Sequence, residues 1–150
     1  MGVEQDRDDA RCVGGECEWP PLWRRGMQEG VARSDVGWEA PCLRASSFSR
    51  RLRGLAGVPR SEMSGVLVFP DCRSVHTFTM AYPIDVLLLD DAGRVLRSCR
   101  GVPRCMIVED PYARTAVERP ASADSWPQEG DVVTFVYQNQ MGAVCSPEFT

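Results

Sequence analysis

The chain has no lysine: all 17 of its cationic residues are arginines, set against 21 acids for a net charge of −4. It has one histidine, His76, and one asparagine, Asn139. This skew reads as codon composition rather than as a site. A single histidine narrows the catalytic options at once, because a Ser-His-Asp or Cys-His machine has to use His76 as its base. A net acidic chain argues against general nucleic-acid binding, so no nucleic-acid partner is expected. No apolar run approaches the roughly 18 residues of a membrane span, and none is expected. The start, with Glu4, Asp6, Asp8 and Asp9, lacks the basic and apolar stretches of a secretory signal. Gly2 is a poor myristoylation site for the same reason. The expected location is cytoplasmic.

Metal and phosphate signatures are missing too. The seven cysteines stand at 12, 17, 42, 72, 99, 105 and 145. In a reducing compartment they read as thiols, and an odd count leaves at least one unpaired. Cys12-x4-Cys17 and Cys99-x5-Cys105 do not have zinc-knuckle spacing, and no second histidine completes a site. There is no glycine-rich phosphate loop and no nucleophile elbow. No metal or cofactor is expected.

What is present is one domain's worth of chain, 150 residues with 43% hydrophobic content. A chain of this size buries roughly two-thirds of its unfolded surface, enough for a core without staples. Eleven Pro and 13 Gly argue against a helical bundle. Residues 1–41 hold nine acids and the Pro20-Pro21 break, without a period of 2 or 3.6. They are expected to be an irregular extension, with Trp19, Trp23 and Trp38 able to dock on the body. From Cys42 to 138 the pattern is that of a β domain, and 139–150 form a tail. A short helix is expected over 47–55, with Phe48, Leu52 and Leu55 on one stripe and Gly57 and Pro59 ending it. Seven short strands are expected at 65–69, 75–80, 84–89, 94–100, 105–109, 113–118 and 131–137, separated by turn residues. That spacing predicts a mainly β fold, an antiparallel sandwich or barrel with one helix.

The run Cys72-Arg73-Ser74-Val75-His76-Thr77-Phe78-Thr79-Met80-Ala81-Tyr82-Pro83-Ile84-Asp85-Val86 resembles the bacterial and archaeal family catalogued as domain of unknown function 192. One branch of that family carries Cys-x-Ser-Val-His-Thr-Phe-x-Met-x-Phe-Pro-Ile-Asp-Val. Arg53-Gly54-Leu55 resembles its Arg-Gly-Leu-Met, with Ala56 in place of the Met. Gly65-Val66-Leu67-Val68-Phe69 and Glu129-Gly130-Asp131-Val132-Val133 resemble its flanking strands more loosely. The likeness covers about residues 42–137. It implies a compact, jelly-roll-like β domain and no particular reaction, cofactor or partner.

Cys72 and His76 are the tempting catalytic pair. On a straight strand they stand about 13 Å apart, too far for a hydrogen bond unless the turn after Pro70-Asp71 shortens the path. Alternation places His76, Phe78 and Met80 on one strand face and Thr77 on the other. The expectation for His76 is a buried ring beside Phe78 or Met80. Asp85 shares a face with Leu87 and Leu89, where a carboxylate needs a partner, and His76, Arg73 or Arg53 are the expected neighbours. Arg50, Arg51, Arg53 and Arg60 read as a solvated helix face. The candidate polar site is therefore Arg53, Cys72, Arg73, Ser74, His76, Thr77 and Asp85. The expected function is non-enzymatic binding of a small ligand or a protein. The alternative is a hydrolase or thiol-transfer enzyme using Cys72 with His76.

Overall fold

The computed structural model describes residues 11–13, 16–18, 22–45, 47 and 53–138. Its strands are β1 (Arg11–Val13), β2 (Glu16–Glu18), β3 (Gln28–Ser34), β4 (Glu39–Arg44), β5 (Val66–Pro70) and β6 (Ser74–His76). They continue with β7 (Ile84–Leu89), β8 (Val95–Val102), β9 (Ile107–Glu109), β10 (Thr115–Pro120) and β11 (Val133–Tyr137). The protein is mainly β. Two short 3₁₀ turns occupy Leu22–Arg24 and Arg60–Glu62. The helix expected over 47–55 lies largely outside the described residues, and the tail 139–150 lies wholly outside them.

Seven strands form one sheet in the order β11-β3-β4-β5-β10-β7-β8. Its neighbours are antiparallel except β4 and β5, which run parallel. Parallel neighbours need a long return connection, and residues 45–65 supply it. The sheet curls until its outer strands meet at one end. Arg94, just ahead of β8, bridges Val132, just ahead of β11, and the Val133 N–H donates to the Gly93 carbonyl at 2.8 Å. Gly93 has φ +81°, and a Cβ there would stand 2.4 Å from the Val133 carbonyl oxygen. Only glycine fits that closure. The result is a half-barrel. The pairs β1–β2 and β6–β9 form two small sheets of their own.

Because side chains alternate along a strand, β5, β7 and β10 each contribute to two apolar layers. One layer holds Leu67, Phe69, Val86, Leu88 and Ala116, covered by Val75 of β6 and Val108 of β9. The other holds Val66, Val68, Leu87, Leu89 and Val117 with Trp38, Trp126 and Val133. Covering on both faces explains the unbroken apolar runs in these strands, a pattern otherwise typical of buried parallel sheets.

Two expectations are corrected. Residues 1–41 are not irregular throughout: β3 and the first part of β4 lie within the main sheet, and Trp38 is a core residue packed edge-on against Trp126, with ring centroids 5.7 Å apart. The pattern is faint because β3 buries only Ala32 well, so no clean alternation shows. The strand expected over 75–80 ends at His76. Beyond it the chain turns, with the Met80 N–H donating to the Thr77 carbonyl at 3.2 Å, so period-2 facing no longer applies there.

Deleting residues 1–41 should abolish cooperative unfolding, since it would remove β3 from between β11 and β4. The point substitution Trp38→Ala should cost about 3–5 kcal/mol, the usual range for emptying a buried aromatic site. Urea denaturation of both variants checks this; a truncated chain with an unchanged midpoint would contradict it.

Candidate functional site

The end of β5 sets up the site. Asp71 adopts φ +53°, a left-handed conformation that Asp tolerates better than most residues, and the chain reverses there. The Cys72 N–H then donates to the Arg114 carbonyl at 3.1 Å, and the chain runs on into β6. Antiparallel pairing with β9 sets Ser74 against Glu109, Val75 against Val108 and His76 against Ile107. Val75 points into the core, while Ser74 and His76 are exposed.

Beneath this small sheet lies a cavity of about 360 Å³. Phe69, Val75 and Met80, all buried, are its apolar lining. Polar groups also reach it: Arg53, Asp71, Cys72, Ser74, His76 and Glu118. Four residues expected to form the site, Arg53, Cys72, Ser74 and His76, thus border one space. His76 is exposed rather than buried, because Val75 takes the inward position. Its ring stacks on Phe78 with centroids 5.6 Å apart, and Phe78 is itself 46% exposed. The Cys72 thiol donates to the Ser74 carbonyl, with an Sγ–oxygen distance of 3.2 Å.

The other three expected residues lie elsewhere. Arg73 is exposed, and its carbonyl accepts the Asp110 N–H. Thr77 is buried: its hydroxyl donates to the Pro103 carbonyl at 2.6 Å and accepts the Met106 N–H at 2.9 Å. It pins the 103–106 turn beside the small sheet.

Asp85 is 1% exposed, on the opposite face of the main sheet from the cavity. Its partner is not His76, Arg73 or Arg53, because β6 pairs with β9 rather than with β7. The register sets Asp85 opposite Arg119 on β10, and the Arg119 Nε donates to Asp85 Oδ2 at 2.8 Å. The Gly101 N–H donates to Oδ1 at 2.8 Å. Arg119 also donates to the carbonyls of Asp124 and Ser125, and its guanidinium lies 4.3 Å from the Trp126 ring centroid. One ion pair therefore fastens the 121–126 loop to the sheet.

Glu118 is a site residue that the sequence does not mark out. It follows Ala116 at the inward-facing alternation of β10, directly opposite Leu67 and Val86, both fully buried. An acid two residues after an inward alanine, inside a strand, was the available signal. Glu118 is 3% exposed, and its Oε2 accepts the Leu55 N–H at 3.2 Å. Burial pushes its carboxyl up to about 7, and the Leu55 hydrogen bond opposes that shift. Gly54 makes the approach possible. At φ +52°, it would place a Cβ 2.8 Å from Glu118 Oε2. Behind the site, the Tyr82 hydroxyl donates to the Val58 carbonyl at 2.8 Å, and burial raises its pKa, helped by the nearby Glu118 charge.

Among the described residues, no group of three or more His, Cys, Asp or Glu side chains is placed to hold a metal ion. No helix in them is long and apolar enough to cross a membrane.

No protein-family model matches the chain. A UPF0127 protein from Thermococcus sibiricus is 27% identical over 116 residues, covering 73% of this chain and 75% of that protein. Among solved structures, a candidate transcription regulator from Sinorhizobium meliloti 1021 superposes with a TM-score of 0.60 at 16% identity, covering 73% of this chain and 95% of that one. A protein of unknown function from Novosphingobium aromaticivorans gives 0.56 at 13% identity, covering 85% and 95%. The class defined is a curled β domain with a small cavity beneath its β6–β9 pair. Within it, the chain has a distant relative among UPF0127 proteins.

Two outcomes follow from the buried acids. Asp85→Ala should destabilise by about 3–5 kcal/mol, because Arg119 would stay buried without its counter-charge. A change below about 0.5 kcal/mol in urea denaturation would show that the pair contributes little. Glu118 works in the opposite sense. Its folded pKa lies above the unfolded value, so its stabilising contribution is present below about pH 4.5 and is lost as pH rises through about 7. Glu118→Gln should therefore be more stable than the parent at pH 8, with the gap closing toward pH 4.5. A gap that is flat with pH would contradict the assignment.

Proposed function

We propose that this chain is a ligand-binding β domain of the family its Cys72–Val86 motif resembles, domain of unknown function 192, and that it acts in the cytoplasm. Its site is the cavity between the main sheet and the β6–β9 pair. One observation carries the reading: a buried carboxyl, Glu118, opens onto an apolar space that Arg53, Cys72, Ser74 and His76 border. Small-molecule sites have this make-up, mostly apolar with a few convergent polar groups and a perturbed titratable residue. Cys42, Cys99 and Cys105 stand as thiols, as a reducing compartment keeps them.

The enzymatic alternative draws on Cys72 and His76 bordering the same cavity. Against it, the Cys72 thiol donates to the Ser74 carbonyl, whereas a thiol nucleophile needs a base within hydrogen-bond reach. A regulator's role like that described for the Sinorhizobium meliloti protein would be exerted through a ligand or a protein partner. An acidic chain offers little for direct DNA contact.

A thermal-shift screen of small polar-apolar compounds tests the proposal. A specific ligand at one hundred times its Kd should stabilise by about 2.7 kcal/mol. Ser74→Trp, at the exposed mouth, should remove that shift without changing the unliganded melting temperature. His76→Gln should leave stability within about 0.5 kcal/mol, as for other exposed positions, and weaken binding only partly. Turnover that disappears in His76→Gln, with an unchanged melting temperature, would favour the enzymatic reading.

A further inference from the structure

The two buried carboxylates on neighbouring central strands differ in one respect. Asp85 holds a guanidinium and the backbone N–H groups of Gly101 and Ser122. Glu118 has one backbone N–H, and among the described residues no cation pairs with it. Arg53 borders the same cavity but is exposed and makes no ion pair with it. On one side Glu118 meets Leu67 and Val86; on the other it meets open space lined by Phe69, Val75 and Met80. A carboxylate in such surroundings is stabilised by an opposite charge held close, and among the described residues none is paired with it, which leaves that place to a guest.

From this geometry we propose that the cavity selects small organic ammonium compounds, with the cation seated on Glu118 and an apolar body against Phe69, Val75 and Met80. This inference rests on the reading of the cavity as a binding site. Asp71, exposed at the same mouth, adds a second negative charge to the approach. The raised Glu118 pKa has a consequence for binding: near and below pH 7 the acid must lose its proton as the cation enters. Among the described residues, the other titratable or charged groups around it are Arg53, Asp71, Cys72 and His76 at the cavity, Tyr82 behind it, and Arg60, whose charge acts on Tyr82.

Benzylammonium, benzyl alcohol and benzoate form a matched probe set, with binding followed by calorimetry and amide chemical shifts on the full chain. At pH 8 benzylammonium should bind at least about tenfold more tightly than the other two, as expected for a desolvated charge pair. Below about pH 7 its affinity should fall about tenfold per pH unit, with proton release seen as a dependence of enthalpy on buffer. His76→Gln should keep that pH dependence, which separates the imidazole proton from that of Glu118. Glu118→Gln should lose both the preference and the pH dependence. If that variant fails to fold, proton release in the parent chain still decides. Equal binding of the alcohol, or an affinity flat with pH, would overturn the ammonium inference while leaving the cavity a binding site. Binding by none of the three, alongside hits of other chemistry that Ser74→Trp blocks, would also overturn it and leave the broader reading standing. No binding of any compound at this cavity would overturn both.

Discussion

Strand β10 is covered on both faces, and the rest of the structure depends on how that constraint is met. Its consecutive residues Glu118 and Arg119 point to opposite layers, because successive side chains of a strand must do so. Both are almost wholly buried, and a buried charge without a partner costs more than most single interactions in a domain can offset. The sheet therefore has to answer each one separately, and it does so by different means.

Arg119 is answered by charge. Asp85 stands opposite it in register, and the remaining donors of the guanidinium reach the carbonyls of Asp124 and Ser125. Trp126 covers the guanidinium face, and Trp126 in turn packs against Trp38. The ion pair thus orders a loop that ends in a core tryptophan, which links β7, β10 and the β3–β4 turn. Glu118 is answered by proton and space. Its carboxyl is held toward the neutral form, touched by one backbone N–H, and opens onto a cavity rather than onto a counter-ion.

The two solutions also explain what the sequence discloses. Strands β7 and β5 are plain in Ile84–Leu89 and Val66–Phe69, because burial on both faces leaves only apolar residues to read. Asp85 stands out in that run, so its need for a partner is legible. Arg119 as that partner is not, because the pairing of β7 with β10 spans more than thirty residues of chain and nothing local announces it. The β6–β9 pairing is hidden in the same way, and with it the exposure of His76. Strand β3 escapes notice because its faces are only half covered, so polar and apolar residues mix without a period. Arg53, Cys72, Ser74 and His76 are marked out by their chemistry. Glu118 is not, since an acid beside an arginine is commonplace on a surface, and only the register buries both.

The division between the faces separates two demands on one small domain. The layer of Trp38, Trp126, Asp85 and Arg119 is cross-linked by an ion pair and packed rings, so it can hold the curl of the sheet without help from any guest. The layer above Glu118 is closed by the two short strands β6 and β9, and short strands contribute little stability of their own. A cavity beneath such a cover forgoes packing contacts that a filled core would make. The cross-linked face supplies the stability that makes this loss tolerable. An unpaired carboxyl in the same place is destabilising when ionised, and in proteins such local costs are characteristically found where binding or catalysis occurs. Beneath this cover, a buried carboxyl without a counter-charge is therefore found where the fold also has room for a guest.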